Sequence, residues 1–185
     1  MALRIVFPLA ISALLLACGG RPTPDRSAER RASGANRDSL VSAMAAVGRS
    51  FGESRAALRA SLGPPDSVTT QVLANRHVAG ETDSGFVWWY RGRRFGVLRP
   101  GPVGRDLLLS TDLWDPSQSL PGGIRVDRTR WESVEPVLAP ASRQEMGADT
   151  AVLVYLWPPD GAADEVRFMF VADTLRRVTW VFYVD

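Results

Sequence analysis

The stretch Phe86-Val87-Trp88-Trp89-Tyr90 constrains the fold more than any other. Five consecutive large apolar residues suit a strand, in which neighbours point to opposite faces. Phe86, Trp88 and Tyr90 then share one face, and Val87 and Trp89 the other. Both faces of such a strand need cover, or one is kept for a partner. Arg91-Gly92-Arg93 predicts a turn, and Arg94 to Arg99 a return strand. The Val- and Thr-rich segment from Ser67 to Leu73 precedes this hairpin, and Leu107 to Leu113 follows it after the break at Pro100-Gly101-Pro102. Three more strands are expected at Ala151–Trp157, Glu165–Ala172 and Arg176–Val184, with turns at Pro158-Pro159-Asp160-Gly161 and Asp173-Thr174. In the last of these, Val178, Trp180, Phe182 and Val184 oppose Val181 and Tyr183.

Helices are expected before each set of strands. Leu40, Met44, Val47 and Phe51 make one apolar stripe, with Asp38 or Ser39 as the N-cap. A second helix runs from about Glu53 to Leu62, with Ala57, Leu58 and Leu62 on one side. Gly63 then supplies a left-handed cap, and Pro64-Pro65 stop the helix. In the second half Trp131, Val134 and Leu138 share a helical face, and Thr129 with Glu132 fits a capping box. Pro136 removes a hydrogen bond there, so this helix is expected to be short or kinked. Leu58, Leu62 and Pro64 align with Val134, Leu138 and Pro140 at a constant offset of 76 positions. The expectation is an α+β fold of two tandem units, 39–115 and 124–185, separated by the loop from Asp115 to Gly123. Each unit would pack short helices on its own antiparallel sheet of three to four strands.

The segment Leu62-Gly63-Pro64-Pro65-Asp66-Ser67-Val68, followed by aromatic strands, resembles the small outer-membrane lipoproteins of the SmpA/OmlA type. The tandem pattern resembles the β-lactamase inhibitor protein fold. The resemblance implies two short helices on a three-stranded antiparallel sheet.

The amino-terminal segment speaks to location. Arg4 precedes a 12-residue apolar run from Ile5 to Leu16, interrupted by Pro8 and Ser12. A membrane-spanning helix needs about 20 apolar residues, so the run reads as a secretory signal over 1–17. Its exit, Leu15-Leu16-Ala17-Cys18, resembles the lipobox of bacterial lipoproteins. The resemblance implies cleavage before Cys18, a diacylglyceryl thioether on its sulfur, and acylation of the new amino group. Two or more acyl chains hold a protein stably on a membrane. Gly19 in place of an aspartate favours the outer membrane, with the domain facing the periplasm. Cys18 is the single cysteine, so a lipidated chain has no thiol left for a disulfide, a metal or a nucleophile.

Charge excludes a nucleic-acid surface. The sequence pI near 9.2 comes from the Arg-rich stretch 18–38, a disordered tether by composition. From Ser39 onward 16 arginines face 17 acids, so the body is near neutral. No catalytic, cofactor or metal motif stands out. His77 is the single histidine, too few for zinc, and reads as an exposed strand-end residue. The acidic groups Asp112/Asp115 and Asp160/Asp164/Glu165 read as solvated turns. Trp, Tyr and Arg dominate protein interfaces. The expected function is a non-catalytic protein-binding module of the envelope. Trp89, Tyr183 and Val181 would form its sheet face, with Arg91 and Arg93 at the rim. The alternative is a small apolar or cell-wall ligand held in a pocket between sheet and helices.

Overall fold

The structure, a computed structural model, describes residues 39–101, 104–138, 142–157 and 164–184. The segments expected to be a lipobox and a tether, with Pro140 and Asp160, lie outside these residues. Helix α1 spans 39–49. Helix α2 spans Arg55–Leu62, and four strands follow: β1 Ser67–Ala74, β2 Thr82–Tyr90, β3 Arg93–Arg99 and β4 Leu107–Leu113. A 3-10 turn at Pro121–Gly123 leads to α3 Trp131–Leu138. The chain ends in β5 Ser142–Glu145, β6 Thr150–Trp157, β7 Asp164–Val171 and β8 Thr174–Val181.

The strands form one antiparallel sheet of eight, in the order β1-β2-β3-β4-β8-β7-β6-β5. This corrects the expectation of two tandem units with separate sheets. Ser110, Thr111, Asp112 and Leu113 of β4 pair with Val181, Trp180, Thr179 and Val178 of β8. That seam fuses the two meanders into one surface, and a single apolar cluster runs from Val41 to Phe182 beneath it. The fold is dominated by the sheet, with short helices as its cover. The second half contributes one helix among the described residues, where symmetry with the first half required two.

Local chemistry sets the helix ends. Ser54 is extended (φ −141°) and its side chain accepts from the Ala57 N–H. Gly63 (φ 80°) ends α2 and its N–H donates to Arg59 O at 3.0 Å, as its sequence position predicts. The expected capping box is not formed. Thr129 Oγ1 instead accepts from the Arg125 N–H at 2.8 Å, closing the turn before α3. Pro136 does lie inside α3, on its exposed side. Strand β5 was not legible, because Ser142-Arg143-Gln144-Glu145 has no apolar alternation; its pairing to β6 alone makes it a strand.

The three helices lie on one face. Phe95, Val97, Leu113, Val178, Trp180 and Phe168 point toward them and are almost wholly buried. Trp131 of α3 meets Phe170 edge-on at 5.0 Å. Helix α1 is fastened to the β4–β8 seam by two buried bonds. Trp180 Nε1 donates to Met44 O at 2.8 Å, and Thr111 Oγ1 donates to Gly48 O at 2.8 Å. Gly48 allows this approach, since a Cβ there would lie 2.5 Å from Trp180 Cγ. Gly48→Ala gains up to about 1 kcal/mol of helix propensity. Overpacking against a fixed indole costs typically about 1–3 kcal/mol. The variant should therefore melt lower than the wild type in a calorimetric scan.

Candidate functional site

The opposite face of the sheet has no helix over it among the described residues. Alternation along the strands fixes what it displays. Trp89 stands opposite Arg94, Arg94 opposite Asp112, and Asp112 opposite Thr179, a row across four strands. The adjacent row is Val87, Gly96, Ser110 and Val181. Toward β6 the same face carries Val152 and Val154, which are buried, so its open part is β2 to β4 with β8.

Asp112 organises the first row. Its carboxylate is 1% exposed and accepts from Arg94 Nε at 2.8 Å and Thr179 Oγ1 at 2.7 Å. A carboxylate so placed needs both partners, because an unpaired buried charge is costly. Held this way, the Arg94 guanidinium lies over the Trp89 ring at 5.2 Å. Trp89 meets Trp114 at 6.3 Å, and Arg177 lies over Trp114 at 5.7 Å. Among the described residues Arg177 Nε is buried without a hydrogen-bond partner, and the Trp114 ring is the contact this guanidinium makes on the face. Two indoles are thus flanked by two guanidiniums, all half-buried.

Beside this group the face is hollow. A Cβ on Gly85 would meet Gln71 at 2.9 Å, and one on Gly96 would meet Ser110 Oγ at 2.6 Å. These glycines floor a recess of about 250 Å³ that reaches Arg94 and Leu109. Leu109 also lines a larger recess of about 630 Å³ with Leu98, Leu107, Val181, Tyr183 and His77. The two recesses share Leu73 and Leu109 and form one groove. Leu109 reaches both because β4 bulges: Gly96 pairs with Ser110 but Val97 with Leu108, which leaves Leu109 unpaired.

The expected site residues divide. Trp89 and Val181 lie on this open face, and Tyr183, 57% exposed, stands at the far end of the groove. Arg91 is exposed in the turn between β2 and β3, away from the groove. Arg93 does not rim this face. It points to the helix side, 4.9 Å over Phe51, and pairs with Asp115 at 3.4 Å. The parity of the turn explains this: Arg93 stands opposite Tyr90, which packs against Phe95 in the core. His77 is exposed, and its N–H donates to Asn75 Oδ1. Among the described residues no group of three or more His, Cys, Asp or Glu could hold a metal.

A further recess of about 650 Å³ lies between α2 and β4, lined by Arg49, Arg99, Arg105 and Phe182. Asp106 sits at its wall. It accepts from the Arg55 backbone N–H at 3.1 Å and from Arg55 Nε at 2.9 Å, and Arg99 Nε donates to it at 3.1 Å. Burial opposes its charge. The bonds from Arg55 and the charges of Arg55 and Arg99 outweigh burial and hold the carboxyl below its usual value. A lowered folded value means this stabilisation is present above the unfolded value of about 3.9 and is lost as pH falls through the folded one. Asp106→Asn should therefore lower stability at neutral pH, and its deficit against the wild type should shrink below about pH 4. Urea titrations at pH 7 and pH 3 would show it.

No family model, curated protein or solved structure matches the chain.

Proposed function

We propose that this chain is a lipid-anchored protein of the cell envelope, held through Cys18, and that it binds another protein through the open sheet face. The observation that carries the reading is the pair Trp89 and Trp114 set between Arg94 and Arg177 on a face without a helix. These residue types supply most of the energy at protein interfaces, where they are rigid and partly desolvated before binding. Arg94 is already fixed by Asp112, so little freedom remains to be lost. The face binds without catalysis in this reading, since Asp112 is committed to Arg94 and Thr179. The groove beside it suits a protruding apolar side chain of the partner.

The test uses the full-length chain in its own envelope. Labelled palmitate should enter the wild type and not Cys18→Ser, and that variant should leave the membrane fraction. Affinity capture should return an envelope protein with the wild type. Trp89→Ala should lose that protein while melting within a few degrees of the wild type. If Trp89→Ala unfolds the domain, the indole is a structural residue and the face is not the interface. The recess between α2 and β4 favours a second reading, a small ligand with an anionic group beside an apolar body. Native mass spectrometry would then show added mass that Arg105→Ala removes.

A further inference from the structure

The two edges of the sheet are unlike. Strand β5 is short, four residues, and its sequence carries Arg143 and Glu145. Short, charged edges resist pairing with other chains. Strand β1 is the reverse. Its sequence, Ser-Val-Thr-Thr-Gln-Val-Leu-Ala, has eight residues with no charge, proline or glycine. Its pairing to β2 runs from Ser67 to Ala74 without a bulge, and every residue of it is exposed. Val72 is 72% exposed, Val68 48% and Leu73 38%. This edge has none of the protections that the other has.

Its free hydrogen-bonding groups can be assigned. The Asn75 N–H donates to Glu81 O at 2.9 Å, so residue 75 is in the bonded phase with β2. Antiparallel pairs alternate between bonded and non-bonded positions. Residues 69, 71 and 73 therefore bond to β2, the Asp66 N–H donates to Trp89 O at 2.8 Å where the strand begins, and Val68, Thr70, Val72 and Ala74 turn their N–H and C=O groups outward.

We propose that β1 pairs with β1 of a second copy, antiparallel across a two-fold axis at Gln71, to give a continuous sheet across a dimer. Charge selects this partner and register. Asp66 precedes the strand and Arg76 follows it, and both are exposed. The two-fold axis at Gln71 brings Asp66 of each copy to Arg76 of the other. It also sets Thr70 opposite Val72 and Val68 opposite Ala74, all with outward backbone groups. An isologous contact of this kind closes at two copies. It uses the free backbone edge of β1, whereas the protein interface proposed above centres on Trp89, Trp114, Arg94 and Arg177, so either can fail without the other.

The test is register-specific cysteine cross-linking of the full-length chain in its own membrane. Gln71→Cys meets its own counterpart at a non-bonded pair, where Cα atoms are about 4.5 Å apart and a disulfide fits. Mild oxidation should give a self-linked dimer above the wild-type level on a non-reducing gel. Thr69→Cys lies about 14 Å along the strands from its counterpart and should not link to itself, yet should link when mixed with Leu73→Cys. Adding Arg76→Glu should abolish the Gln71→Cys dimer, and adding Asp66→Arg as well should restore it. No dimer from Gln71→Cys, equal linking by Thr69→Cys alone, or linking of Gln71→Cys to a different protein would each overturn the proposal.

Discussion

Replacing Trp180 by alanine should cost about 3–5 kcal/mol, the range for large buried aromatics. It should lower the melting temperature by roughly 10 °C or more in a domain of this size. The indole is 1% exposed and sits at the β4–β8 seam, opposite Thr111. Three things are lost together: its packing, the Nε1 bond to Met44 O, and the surface that Gly48 closes against. Met44 O stays in an intact helix, so the main loss is the cavity. Trp180→Phe keeps most of the volume and loses the bond, and should cost less than half as much. Chemical unfolding of both variants would separate packing from hydrogen bonding.

Asp112→Ala should cost about 2–4 kcal/mol, near the low end of the range for breaking a buried ion pair. The carboxylate itself is almost wholly buried, but Arg94 is 34% exposed at its side chain and can turn to water. Thr179 loses an acceptor at 2.7 Å. The functional effect should be larger than the structural one. Without Asp112 the bond that fixes Arg94 over Trp89 is gone, and that indole loses the cation set over it. Asp112→Asn keeps the shape and the Thr179 bond, so it should recover most of the stability. Partner capture by the Asn variant should remain weak, because the charge that orients Arg94 is gone.

The sequence made the strands legible and the assembly illegible. Alternation at Phe86–Tyr90 and Val178–Val184 placed Trp88 and Trp180 in the core, and Trp89 and Val181 on the other face. Those placements follow from geometry that every strand obeys. The seam between β4 and β8 depends on contacts 67 residues apart, such as Thr179 to Asp112, and no local pattern encodes them. A helix–strand order that repeats therefore read as two bodies, when the strands merge into one sheet. Arg94 could have been found. A two-residue turn at Arg91-Gly92 puts Tyr90 opposite Arg93 and Trp89 opposite Arg94, so the face residue is Arg94 and Arg93 goes to the core side. Trp114 and Arg177 carried no such signal, since their meeting requires the same seam. Thr129 and Glu132 matched a capping box, but Thr129 was taken by the turn at Arg125, a tertiary choice over a local one.

The open face is the central claim, and a photo-reactive residue placed on it tests the claim most directly. Val87 lies in the row of Gly96, Ser110 and Val181, beside the Trp89 ring but outside its contacts with Arg94 and Trp114. The full-length chain carrying a benzophenone side chain at Val87, irradiated in intact cells, should form one discrete adduct with an envelope protein. Adding Trp89→Ala should remove that adduct without lowering the amount of folded chain. Irradiation that leaves Val87 unlinked, or an adduct that Trp89→Ala does not diminish, would contradict a binding surface built on these rings and guanidiniums.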